Sequence, residues 1–169
     1  MSDALRTAVV VGNPKQASRT LSAALYVARE LSGGDPDPVV DLTELGPALL
    51  DWRSALVDDL VRQVGEADLV VVASPTYKGT YTGLLKLFLD RFAGGTGIRG
   101  LAVPLMLGAG SQHALAPELT LRPVLTELGA TVPGRGLFVP DSRHDDPAAC
   151  AEWIAAVRPL VHATAGVRT

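Results

Sequence analysis

The stretch Val71-Val72-Ala73-Ser74-Pro75-Thr76-Tyr77-Lys78-Gly79-Thr80-Tyr81-Thr82-Gly83-Leu84-Leu85-Lys86 decides the fold. Its apolar start reads as a buried strand. The strand breaks into a polar turn holding Pro, Tyr, Lys and Gly, and an amphipathic helix follows at once. In a parallel α/β sheet, the loop after a strand's carboxyl end is where ligands bind.

The rest of the chain repeats this alternation. Thr7 to Val11 is a continuous apolar run, the signature of a strand covered on both faces. Thr20 to Leu31 reads as a helix, with Leu21, Ala24, Leu25 and Ala28 at helical spacing, and Gly33-Gly34-Asp35-Pro36 ends it. Val39 to Leu42 is a short second strand. Leu45 to Trp52 contains Gly46-Pro47 and reads as a loop with at most one turn. Ser54 to Val64 is a helix whose inner face is expected to carry Leu56, Leu60 and Val64.

Leu69 to Ala73 is the third strand, and Thr82 to Phe92 the third helix, with Leu85, Phe88, Leu89 and Phe92 on one side. Gly94-Gly95-Thr96-Gly97 links it to the fourth strand, Leu101 to Leu107. Ala114 to Leu128 is the fourth helix; Pro123 lies inside it and predicts a kink or a restart there. Leu137 to Val139 is the fifth strand, and Ala148 to Thr164 the last helix, bent near Pro159. Five strands separated by helices predict a doubly wound α/β fold with a parallel sheet in the flavodoxin-like order 2-1-3-4-5. The ligand crevice would lie between strands one and three. Residues 1–169 are expected to form one such domain.

Three loops at the carboxyl edge of that sheet carry the chemistry. The first, Gly12 to Thr20, lacks both GxGxxG and GxxxxGK[ST]. It places Ser18, Arg19 and Thr20 at the start of a helix. Hydroxyls and backbone amides there can hold a phosphate, helped by the helix dipole and by the charge of Arg19 or Lys15. Ser18 or Thr20 acting only as an N-cap is the alternative. In the second loop Pro75 fixes the chain as it leaves the strand. Thr76, Tyr77 and Gly79 can bring amides and an aromatic face to a flat ring. Lys78 could meet an anionic flavin or a nicotinamide phosphate; an ordinary turn with a surface lysine is the alternative. In the third loop the small residues Gly108, Ala109, Gly110 and Ser111 let backbone approach a ligand closely. His113 beyond them either bonds a ligand or caps or packs against its helix. A phosphate loop beside an aromatic loop points to flavin mononucleotide (FMN).

Composition narrows the classes. The chain has 169 residues, a net charge of −3 and 20% charged residues, with no basic stripe for nucleic acid. Cys150 is the only cysteine, so no intrachain disulfide forms. It lies far from the first loop, where a low-molecular-weight phosphatase needs its thiol. Three scattered histidines show no metal-ligand spacing, and there is no GxSxG elbow. No apolar run approaches the ~20 residues that span a bilayer. Met1 to Thr7 leads straight into a strand without a long apolar segment, so no secretory signal is expected and the expected location is the cytoplasm.

Together these residues resemble the NADPH-dependent FMN reductase family. They are most similar to the reductases that supply reduced flavin to two-component alkanesulfonate monooxygenases. The likeness runs from about Val9 to Ser142. It rests on Gly12, Pro14, Ser18, Arg19 and Thr20, then Pro75, Tyr77, Lys78, Gly83, Leu85 and Lys86. Gly108, His113, Leu115, Ala116, Arg122-Pro123-Val124-Leu125 and Leu128 complete it. The third loop departs by reading Gly108-Ala109-Gly110 where the family commonly has paired glycines. Leu119 stands where the alkanesulfonate-system enzyme has a tyrosine linked to a π-helix and tetramer contacts.

The resemblance implies hydride transfer from NADPH or NADH to FMN, a possible flavin-dependent monooxygenase partner, and a homodimer or homotetramer. It implies that Ser18, Arg19 and Thr20 hold the FMN phosphate and that Pro75, Thr76, Tyr77, Lys78 and Gly79 line the isoalloxazine. Gly108, Ala109, Gly110 and Ser111 would form the far wall. No catalytic side chain, metal, nucleic acid or membrane is expected. A flavodoxin-like electron carrier, or a quinone or azo reductase with tightly bound FMN, remains the alternative.

Overall fold

Fully apolar five-residue to eight-residue runs can satisfy their backbone only beside other strands, and can hide both faces only under helices. The computed structural model, which describes residues 5–165, shows this arrangement. Residues 1–4, part of the segment read for a leader, and 166–169 lie outside the described residues. The strands are β1 (Thr7–Val11), β2 (Val39–Asp41), β3 (Leu69–Pro75), β4 (Leu101–Gly108) and β5 (Leu137–Pro140). They pair in parallel in the order β2-β1-β3-β4-β5. Val9 sits opposite Val39 on one side and Val71 on the other.

The helices are α1 (Arg19–Ser32), α2 (Ala55–Gly65), α3 (Gly83–Leu89), α4 (Arg122–Glu127) and α5 (Ala151–Ala165). Alternate residues of each strand face opposite layers. Val9, Val11, Val71, Ala73 and Leu105 pack with Ala24, Val27 and Leu31 of α1 and Ile154 and Val157 of α5. Val10, Val70, Val72 and Met106 pack with Val57 of α2, Leu85 and Phe88 of α3 and Leu125 of α4. Each large side chain fully buried this way contributes about 1.5–3 kcal/mol. The sheet order matches the expectation from hydrophobic runs.

Four local departures have physical causes. On α2, Leu56 is 58% exposed and Val57 is buried instead. The inner stripe therefore runs through Val57 and Val64, with Leu60 and Val61 at its margin. Leu42, read as the end of the second strand, instead opens a 3₁₀ turn at Leu42–Glu44, and the turn expected between Leu45 and Trp52 is a second 3₁₀ turn at Gly46–Leu50. Arg91 pins the end of this segment. Its guanidinium donates to the carbonyls of Asp51 and Trp52 and to Asp58, and it lies 5.1 Å from the Trp52 ring centre. Thr82 precedes α3 as its N-cap rather than opening the helix.

The fourth helical segment is the largest departure. A π-helical turn covers Pro117–Leu121, and α4 restarts at Arg122. Pro123 has no N–H for the Leu119 carbonyl, and its ring excludes that carbonyl. The Arg122 amide instead reaches back five residues to Pro117. The π turn thus forms with a leucine, not a tyrosine, at position 119, and that leucine is exposed.

Candidate functional site

Six of the seven polar side chains buried among the described residues gather at one end of the sheet. Asn13, Ser18, Thr20, Asp41, Ser74 and Thr82 all lie at, or just beyond, the carboxyl ends of β1, β2 and β3. Burying polar groups is costly unless they are hydrogen-bonded, so this concentration marks a built structure. It coincides with the crevice that topology assigns to ligands in a parallel sheet.

The first loop leaves β1 through Gly12. A Cβ at Gly12 would stand 2.4 Å from the Leu85 Cβ, so only glycine lets α3 pack this closely. Asn13 then folds the loop. Its side-chain oxygen accepts from the Lys15 amide at 2.9 Å, and its Nδ2 donates to Thr20 Oγ1 at 2.9 Å. Pro14 to Ala17 are exposed, and Ala17 is left-handed at φ 49°. Such a conformation in a residue bearing a Cβ is strained and tends to mark functional loops.

Ser18 caps α1, its Oγ accepting from the Leu21 amide at 3.2 Å. The amides of Ser18, Arg19 and Thr20 donate to no protein group among the described residues, as expected for a first helical turn. Capping and anion binding are therefore compatible here. The cap uses the acceptor side of Ser18, and the hydroxyl hydrogen and three amides remain free. Arg19 is exposed, while Thr20 is buried behind the loop against Asn13.

The second loop is a tight hairpin. Tyr77 and Thr80 exchange both backbone hydrogen bonds, at 2.8 and 3.2 Å. Lys78 and Gly79 between them both have positive φ, 53° and 85°. This is the type I′ pattern. It presents the Tyr77 ring, 52% exposed, and the Lys78 ammonium to solvent. Pro75 is the last residue of β3. Thr76 holds the hairpin to β4 through its amide, which donates to the Leu107 carbonyl at 2.7 Å.

Charge follows the same pattern. Among the described residues, five basic side chains stand in no ion pair: Lys15, Arg19, Lys78, Arg99 and Arg135. Three of the five are in the first two loops. The remaining lysine, Lys86, donates to Asp90 at 2.5 Å, and this bond raises it above the ordinary lysine range. Burial pushes the Cys150 thiol up, which keeps it protonated and unreactive at neutral pH.

The third loop follows β4, beside β3. A Cβ on Gly108 would lie 2.9 Å from the Phe138 ring and 3.4 Å from Thr76 Oγ1. Ala109, Ser111 and Gln112 are exposed, and a 3₁₀ turn spans Ser111–His113. Two buried polar atoms flank this loop without a hydrogen-bond partner, Thr76 Oγ1 and His113 Nδ1. His113 therefore does not cap its helix. An orphaned buried polar atom costs about 1–3 kcal/mol, and two of them beside one glycine-bounded loop fit a ligand with a polar edge.

All three loops lie at the sheet's carboxyl edge and form an open rim. A groove of about 440 Å³ between α3 and α4, lined by Leu89, Phe92, Pro123 and Val124, lies away from it on a flank. Its charged lining is the Lys86–Asp90 ion pair and Glu127, with none of the unpaired cations of the first two loops. No group of three metal-ligating side chains occurs among the described residues. Sequence reasoning passed over Asn13, Ser74 and Thr82 as parts of the site. An asparagine before proline at a strand end, and a threonine before an apolar helical run, are the signals that could have found them.

Comparison with known proteins gives this geometry a context. The sequence profile described as NADPH-dependent FMN reductase matches residues 5–145. An Escherichia coli K12 protein named FMN reductase (NADPH) is 31% identical over 143 residues, covering 82% of this chain and 75% of its own length. A Pseudomonas putida protein named NADH-dependent FMN reductase SfnE is 30% identical, covering 86% of this chain and 82% of its own. The crystal structure of an apo NADH:FMN oxidoreductase, EmoB, superimposes with a TM-score of 0.81 at 30% identity, covering 94% of this chain and 89% of that one. The match spans all three loops as well as the sheet that carries them, and the chain belongs to the NADPH-dependent FMN reductase family.

Proposed function

We propose that the protein is an NAD(P)H:FMN oxidoreductase whose site is the rim formed by the three loops. The observation that carries this is the coincidence of buried polar groups and unpaired cations at one sheet edge, in a chain of this family. In this reading Ser18, Arg19 and Thr20 hold the FMN phosphate, through their free amides, the Ser18 hydroxyl and the Arg19 guanidinium. Pro75, Thr76, Tyr77, Lys78 and Gly79 line the isoalloxazine. Gly108, Ala109, Gly110 and Ser111 form the opposite wall, where the absence of large side chains leaves a ring face open to a nicotinamide.

When bound, FMN supplies the hydride-accepting chemistry and the protein supplies orientation. Donor and acceptor must stack within about 3–3.5 Å. The tight hairpin at Lys78-Gly79 and the Thr76 amide bond to the Leu107 carbonyl would hold the two walls to such a tolerance. No side chain is assigned a proton-transfer role.

Reduced FMN would pass to a partner monooxygenase. The exposed Trp52 and Leu119, 66% accessible each, support a homo-oligomer, a dimer or a tetramer. No helix among the described residues is long and apolar enough to cross a membrane, and the lone cysteine fits a reducing cytoplasm.

The test is anaerobic mixing of the protein with excess FMN and either NADPH or NADH. Flavin absorbance should bleach with at least one donor. Absence of reduction with both would overturn the proposal. Tight yellow flavin without nicotinamide oxidation would identify an electron carrier instead. Oxidation only on adding a quinone or azo dye would identify a reductase of that acceptor.

A further inference from the structure

The phosphate loop and the ring loop are far apart in sequence, and one buried hydroxyl joins them. Thr82 is 4% exposed. Its Oγ1 donates to the Gly12 carbonyl at 2.5 Å, across 70 residues of chain, and accepts from the Leu85 amide at 3.1 Å. Its own amide donates to Ser74 Oγ at 3.0 Å, and that hydroxyl donates to the Pro75 carbonyl at 2.8 Å. Gly12 is thus gripped on both sides, because its amide donates to the Ala73 carbonyl at 2.9 Å.

A helix cap alone does not require this. Capping uses only the acceptor side of the hydroxyl. Ser54, the cap of α2, accepts from the Val57 amide and makes no cross-chain bond among the described residues. The donor side of Thr82 instead fixes the residue from which the phosphate loop departs. Ser74 and Thr82 together fix the start and end of the segment carrying Pro75 to Gly79.

Resting on the FMN reading above, we propose that Thr82 is a positioning residue that couples the phosphate loop to the ring loop. A phosphate seated on Ser18–Thr20 and a ring seated on Tyr77–Gly79 then belong to one geometry. Without the bond each loop finds its own position. The property that reports this is the ratio of the riboflavin to the FMN dissociation constant, which isolates the contribution of the phosphate.

Thr82→Val keeps the shape and removes the hydroxyl, leaving the Gly12 carbonyl without that donor and the Leu85 amide without its cap. The ratio should fall about tenfold, because the phosphate loop loses its anchor. Thr82→Ser keeps the hydroxyl and should keep the ratio within about twofold of the native protein. A folded valine variant with an unchanged ratio overturns the proposal. So does a serine variant as impaired as the valine one, since the loss would then be one of packing.

Amide hydrogen exchange on the native protein gives a second reading if the valine variant does not fold. Saturating inorganic phosphate should slow exchange at Arg19 and Thr20 and also at Thr82 and Leu85. Slowing confined to the first pair overturns the coupling. Slowing at neither pair removes the phosphate loop on which it depends. A native protein that binds no flavin refutes the FMN reading itself, and the coupling falls with it. A native preference for FMN that survives the valine substitution refutes the coupling alone.

Discussion

Gly12→Ala should lower the melting temperature by roughly 6–12 °C and weaken FMN binding more than tenfold. The added methyl would stand 2.4 Å from the Leu85 Cβ and 2.9 Å from its Cα, against an ordinary carbon contact of about 3.5–4.0 Å. Neither neighbour is the flexible end of a side chain. Relief therefore requires α3 as a whole to move by about 1 Å from the end of β1. Overpacking of this kind costs about 1–3 kcal/mol, occasionally more, and this contact belongs at the upper end. For a chain of this size about 3 kcal/mol corresponds to the temperature shift given. The same displacement would pull Thr82 from the Gly12 carbonyl and separate the two loops that the flavin is proposed to bridge. Thermal unfolding and flavin fluorescence titration check both parts. A variant that melts and binds FMN like the native protein would show that the contact is relieved without moving the site.

Arg19→Ala should raise the FMN dissociation constant by about one to two orders of magnitude and leave riboflavin binding unchanged. A charge-assisted hydrogen bond is worth about 1.5–3 kcal/mol, which is a factor of about 10 to 150 in affinity. Arg19 stands in no ion pair among the described residues and is exposed at the first residue of α1, so its removal breaks no fold contact. Equal binding of both flavins before and after the change would make it a bystander. A parallel loss for both would place its role at the ring. Riboflavin and FMN share the isoalloxazine and differ at the phosphate, so the pair separates these outcomes.

What could be read from the sequence divides along physical lines. The strands were legible because runs such as Leu69–Ala73 are apolar on both faces, which only an interior parallel strand explains. The three loops were legible because their positions follow from that sheet. Geometry that depends on one hydrogen bond or one methyl group was not. Thr82 reads equally well as a first helical residue or as a cap, and only its extended backbone, with Oγ1 accepting from the Leu85 amide, decides. Leu56 and Val57 are adjacent and both apolar, and a rotation of one residue exchanges inside for outside on α2. Pro123 announced a break without saying how it would be resolved. The π turn at Pro117–Leu121 is the solution that leads the chain into α4 without the bond Pro123 cannot make. The unpartnered Thr76 Oγ1 and His113 Nδ1 are properties of packing that no local pattern encodes.

The central claim is that one FMN spans the rim from Ser18 to Ser111. Amide chemical-shift mapping on isotopically labelled protein, titrated with FMN under air and without nicotinamide, tests it most directly. The expected result is a saturable set of perturbations at Ser18 to Leu21, Tyr77 to Thr80 and Gly108 to Ser111. Riboflavin should reproduce the second and third groups and spare the first. Perturbations centred instead on the groove between α3 and α4, at Leu89, Phe92 and Val124, or no saturable perturbation at the three loops, would contradict the account.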